Sequence, residues 1–169
     1  MTGKNFKIVL FALIVLLCTI FIFSNSLKNI EESRADSDVI VEIVEEICER
    51  IEPDNDLNLD YIVRKCAHFT EFFVLGVSCV LLYFQTRKGI SGSLCYVFLY
   101  VVAVAFCDEF IQRFTGRGSR FTDVMIDTSG AVAGIVVSLI LGMAIHHMQK
   151  RKKSPAHKDT IQEIKNDAN

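Results

Sequence analysis

Four apolar stretches, each long enough to cross a bilayer, constrain this chain more than any other feature. A hydrocarbon core about 30 Å thick needs roughly 20 residues of helix. The stretches are 6–23, 66–84, 94–112 and 124–146. The first carries no charge from Ile8 onward and has Lys4 and Lys7 at its start. It is too long for the hydrophobic region of a signal peptide, and "IFIFSNS" offers no small-x-small cleavage site, so we read a retained span. Composition agrees. An apolar share of 51% and a mean hydropathy of +0.35 are too high for a small soluble domain, and 169 residues suffice for one domain. The expected fold is an all-α integral membrane protein: a four-helix membrane domain over 1–149 and a polar cytoplasmic tail over 150–169.

Six cysteines stand at 18, 48, 66, 79, 95 and 107, and none forms a CxxC pair, so no metal or redox motif is visible. Cys79 and Cys95 read as small core or lipid-facing residues, and no spacing supports a bridge among Cys48, Cys66 and Cys107. The net charge of −2 says little, because the charges are segregated along the chain. Nucleic acid is not an expected partner.

Four spans place both termini on one side. Lys and Arg favour the cytoplasm. The terminal side holds Lys4, Lys7, Arg87, Lys88, the cluster "KRKK" at 150–153 and Lys158; the other holds Lys28, Arg34, Arg50, Arg64, Lys65, Arg113, Arg117 and Arg120. "KRKK" follows the last span directly and the opposite side carries most of the acids, so the expected orientation has both termini inside. Five of the opposing cations (Arg64, Lys65, Arg113, Arg117, Arg120) crowd the span ends, where an outward loop would normally avoid them.

Between the first two spans, Ser24 to Tyr61 carries 12 acids and 3 bases. Within it Val39, Ile40, Ile43, Val44, Ile47 and Ile51 recur at helical spacing with glutamates between them. This predicts an extracytoplasmic amphipathic loop helix over 38–51, capped by Asp36 or Ser37 and ended by Pro53. Its acidic polar face argues against an anionic lipid surface and for packing on protein or exposure to solvent.

The ionisable residues of the spans gather at one depth. His68 and Glu71 lie within about two turns of the start of span two. Asp108, Glu109 and Gln112 lie in the last turns of span three, and Asp123 and Asp127 in the first turns of span four. All fall just below the outer surface, with Arg113, Arg117 and Arg120 of "RFTGRGSRFTD" at the rim. Lys65, His68 and Glu71 share a helix face, as do Glu109 with Gln112 and Asp123 with Asp127. The Asp127 face continues through Gly130, Gly134, Ser138 and Gly142, and its GxxxG allows a close helix contact, either inside the bundle or in a homodimer. An ionisable group at membrane depth facing the bundle interior is a functional-site candidate.

"RKCAHFTEFFVLG" and "CDEFIQRFTGRGSRFTDVMIDTSGAVAG" resemble the VanZ-like family of small bacterial membrane proteins. Lys65, His68, Glu71, Asp108, Glu109, Gln112, Gly116, Arg117, Asp123, Asp127, Gly130 and Gly134 match its pattern in order, with Phe72 as the aromatic after the glutamate. "FSNS" (Phe23 to Ser26), Ser33 and Ser37 are similar to its serine-dotted segment after the first span. The resemblance runs from about Phe6 to Ile145. It implies a multi-pass protein of the bacterial cytoplasmic membrane. The family's namesake is associated with low-level resistance to the glycopeptide teicoplanin, and the resemblance supplies no mechanism.

Three readings of the cluster stand side by side. In one, carboxylates and cations clamp the bundle end, although buried pairs add little over apolar packing. In the second, Arg117, Arg120, Arg113 and Lys65 hold a phosphate or carboxylate, while Glu71, Glu109 and Asp127 orient them or accept hydrogen bonds. The binding set is then Lys65, His68, Glu71, Glu109, Gln112, Arg117, Arg120 and Asp127, and the partner is a membrane lipid or a lipid-linked cell-wall precursor. In the third, Asp108, Glu109, Asp123 and Asp127 ligate a divalent cation and His68 acts as a general base. The catalytic candidates of that enzyme are His68, Glu71, Asp108, Glu109, Asp123 and Asp127. No P-loop, HExxH or nucleophile motif accompanies them. His146 and His147 read as interfacial, and no polar path leads across the inner half.

Overall fold

The computed structural model describes residues 3–29, 31–33, 38, 41–43, 59–86, 91–116 and 120–152. No strand occurs among them. Four helices dominate: α1 (Gly3–Ser26), α2 (Leu59–Thr86), α3 (Ser91–Phe114) and α4 (Phe121–Lys152). All four are long and apolar enough to cross a membrane. At 1.5 Å per residue the 24 residues of α1 and of α3 reach about 36 Å, and the 28 of α2 about 42 Å. The protein is therefore an all-α, four-span chain. Each helix overshoots its apolar stretch. α2 starts seven residues before Cys66, which puts Arg64 and Lys65 on the helix rather than in a loop.

The loop helix expected over 38–51 lies mostly outside the described residues. Within them, 31–33, 38 and 41–43 are helical. A reciprocal capping box opens the first of these turns, earlier than the sequence suggests: Glu32 N donates to Asn29 Oδ1 at 2.9 Å and Asn29 N to Glu32 Oε2 at 3.2 Å.

The chain divides into two compact units, Met1–Ile135 and Val136–Asn169. In the first, the core is built from Ile22 of α1, Phe72 and Leu75 of α2, Val101 and Ala105 of α3 and Ala131 of α4, all at most 1% exposed. Leu13, Leu16, Leu17 and Ile20 of α1 turn outward, as do Phe106 and Phe110 of α3. Such continuous apolar exposure suits hydrocarbon and not water. In the second unit α4 runs on to Lys152 and exposes Ile140, Leu141, Met143 and Ile145.

Three glycines let α2 and α4 touch backbone to backbone. A Cβ at Gly130 would run into the carbonyl oxygen of Phe69, one at Gly134 into that of Phe73, and one at Gly76 into that of Ala131. The GxxxG of Gly130 and Gly134 thus serves an internal helix pair. Gly116, at φ +76°, takes the left-handed position that ends α3 and turns the chain toward α4.

Candidate functional site

Helical spacing brings the polar residues to one end of the bundle, and packing decides which of them meet. His68 of α2 presents Nδ1 3.8 Å from Asp108 Oδ2 of α3 and 3.6 Å from Asp127 Oδ1 of α4. The glycine contacts lie one residue beyond His68 and three beyond Asp127, so the closest approach of α2 and α4 sets this spacing. Asp108 and Asp127 are 0% and 1% exposed. Asp108 is held from two sides: Gln112 Nε2 donates to Oδ2 at 2.7 Å, and Ser26 Oγ of α1 donates to Oδ1. Asp127 differs, since neither carboxylate oxygen has a hydrogen-bond partner among the described residues.

The neighbouring acids are engaged elsewhere. Lys65 Nζ lies 2.5 Å from Asp123 Oδ1 and 5.2 Å from the centre of the Tyr61 ring. Glu109, buried, accepts the Arg120 backbone N–H at 3.0 Å through Oε2. Arg120 in turn accepts from the Asp123 N–H at 2.9 Å, so Glu109 pins the first turn of α4. Glu71 Oε1 accepts from Asn25 Nδ2 at 2.7 Å, and Thr115 Oγ1 donates to the Ser26 carbonyl at 3.2 Å. The end of α1 is thereby tied to both α2 and α3.

Asp108, Glu109 and Asp127 are all buried, and Lys65 pairs with Asp123. An ionised carboxylate in a low-dielectric interior is costly unless paired and hydrogen-bonded. His68, at 3.6 and 3.8 Å, stands beyond hydrogen-bond reach of both aspartates. The trio of His68, Asp108 and Asp127 offers three ligand atoms within 4.8 Å of one another, a set able to hold a cation.

Two of the cavities beside this cluster are lined in part by Lys65. A polar pocket of about 160 Å³ is lined by Tyr61, Arg64, Lys65, His68, Gln112, Arg120 and Asp123. An apolar groove of about 450 Å³ between α2 and α4 is lined by Tyr61, Ile62, Lys65, Cys66, Phe69, Thr70 and Ile126. Tyr61 and Lys65 belong to both.

Of the residues singled out from sequence, Lys65, His68, Glu71, Asp108, Glu109, Gln112, Arg120, Asp123 and Asp127 all sit at this end. Arg113 is exposed, and Arg117 lies outside the described residues. Of the four acids expected to ligate a metal, Asp108 and Asp127 come together with His68. Asp123 is taken by Lys65, and Glu109 by the Arg120 backbone. Sequence reasoning left Asn25, Ser26, Tyr61 and Arg64 out of the site. The usable signal was "SNS" at 24–26, three polar residues closing an otherwise apolar span.

No curated protein and no solved structure matches the chain. The family model described as VanZ/LLP1 matches residues 9–142, which reach into all four helices and include every residue of the cluster. The chain belongs to the VanZ/LLP1 family.

Proposed function

We propose that this membrane protein binds the anionic head group of a membrane lipid or lipid-linked envelope precursor at the outer leaflet. The observation that carries the reading is that two unlike cavities share Lys65 and Tyr61 in their linings. The polar pocket is lined by Arg64, Lys65, Arg120 and His68, a set that suits a phosphate or carboxylate. At about 160 Å³ it falls below the roughly 300–1,000 Å³ of drug-sized sites, so it admits a head-group anion and not a whole saccharide–peptide. The apolar groove beside it, along Phe69, Cys66 and Ile126, suits the attached acyl or prenyl chain. Asp123 orients Lys65, and Gln112 supplies a further donor.

The same geometry suits a lipoglycopeptide whose carboxylate meets the cations while its acyl tail enters the groove. Low-level protection against teicoplanin is the cellular expectation of that fit. The direct test uses purified protein in detergent with three probes: phosphatidylglycerol, a polyprenyl phosphate and phosphatidylcholine. Thermal stabilisation by the two anionic lipids, lost in Arg64→Gln/Arg120→Gln, is the expected result. Equal stabilisation by phosphatidylcholine would sink the reading.

A further inference from the structure

We propose that His68, Asp108 and Asp127 form a binding site for one divalent metal ion of the Zn²⁺ or Mn²⁺ class. The inference goes beyond the head-group reading: it shares His68 with the polar pocket, but Asp108 and Asp127 do not line that pocket.

Three observations converge. The first is geometric. His68 Nδ1 stands 3.6 and 3.8 Å from the two aspartates, and the three ligand atoms all lie within 4.8 Å of one another, a spread that small side-chain shifts close onto one ion with bonds of about 2.1 Å. The second is Asp127. It is 1% exposed, and both its oxygens lack a hydrogen-bond partner among the described residues, while Oδ1 lies 3.6 Å from the imidazole. A buried polar atom left without a bond is a costly arrangement, and an ion at that position removes the cost. The third is charge balance. Asp108 and Asp127 are both buried acids, and the charge of one divalent ion matches two carboxylates.

The surroundings fit a metal centre. Gln112 and Ser26 orient Asp108 from behind, as outer partners orient ligating carboxylates. One imidazole and two carboxylates favour Zn²⁺ or Mn²⁺ over the all-oxygen sets of Ca²⁺. His68 also lines the polar pocket, so the site adjoins the space where an anion would enter.

The test uses the full chain in detergent, stripped with chelator and titrated with Mn²⁺. The acidic loop will hold Mn²⁺ loosely, so the readout must identify the ligand. Electron spin-echo modulation from a coordinated imidazole nitrogen does that. We expect one tightly bound Mn²⁺ per chain with nitrogen coupling, and a higher melting temperature on binding. His68→Gln abolishes the coupling. Asp127→Asn, nearly identical in shape, weakens binding at least about tenfold. Thr19→Val, remote from the cluster, binds as the parent does. Should Asp127→Asn fail to accumulate, Asp108→Asn gives the same reading from the other carboxylate. Absence of nitrogen coupling in the parent overturns the proposal. So does metal affinity unchanged by both aspartate variants. A melting temperature that ignores metal but rises in Asp127→Asn also overturns it, and would identify a protonated Asp127 acting as a structural clamp.

Discussion

Replacing Gly130 with Ala tests whether the α2–α4 contact builds the site. The added Cβ meets the Phe69 carbonyl oxygen, with the Phe69 carbonyl carbon and Cα next at 3.1 Å. All three are backbone atoms, so no side chain can swing away and the helices must separate. Overpacking of this kind costs about 1–3 kcal/mol, and a rigid backbone obstacle places it at the upper end. Alanine returns about 1 kcal/mol of helix propensity over glycine. The net loss is then about 1–2 kcal/mol, or about 2–8 °C in melting temperature for a chain of this size. Gly134→Ala forces the same separation through Phe73, so the double variant should lose less than the sum of the two. The assay is thermal unfolding in detergent, with light scattering to follow oligomeric state. An unchanged melting temperature with a shift in oligomeric state would refute the reasoning, because it would mean that the glycines face a second chain. A further consequence follows from position. His68 precedes Phe69 and Asp127 lies one turn before Gly130, so separation widens the 3.6 Å gap between them and should weaken Mn²⁺ binding as well.

Ser26→Ala removes a donor to a buried carboxylate and should cost about 1–3 kcal/mol by thermal unfolding, whereas Ser26→Thr, which keeps the hydroxyl, should recover part of it. Lys65→Met strands Asp123 at 13% side-chain exposure; adding Asp123→Asn should restore most of the lost stability, and a double-mutant cycle reads the coupling. Glu109→Ala deletes the acceptor for the Arg120 N–H and should destabilise the start of α4 by about 1 kcal/mol, while Glu109→Gln, which keeps a carbonyl oxygen, should not. Faster amide exchange at Arg120 is the local reporter. Gly116→Ala puts a side chain at φ +76° and should cost about 1–2 kcal/mol, with Gly116→Asn milder.

Much of the polar cluster was legible without coordinates. The rise per residue converts position in a span into depth, so His68, Asp108, Glu109, Asp123 and Asp127 had to share a level once the spans were placed. Helical spacing likewise put Lys65, His68 and Glu71 on one face. Neither quantity says how far each helix is rotated about its axis or which neighbour it faces. That is why four acids looked equally fit to hold a metal, although Asp123 belongs to Lys65 and Glu109 to the Arg120 backbone. Only the packed structure separates them, because an ion pair at 2.5 Å and a gap at 3.6 Å differ by small rotations that local spacing does not fix. The same limit hid Ser26 and Asn25. Their partners are 82 and 46 residues away, and nothing near them in the chain records the pairing. The GxxxG was equally suited in sequence to a partner helix of this chain or of another. The backbone contacts with Phe69 and Phe73 made the choice. Sequence thus determined the number of spans and the depth of the charges, since both follow from local geometry and transfer energy. Tertiary packing decided which charges meet, because that depends on helix rotation and on contacts between distant residues.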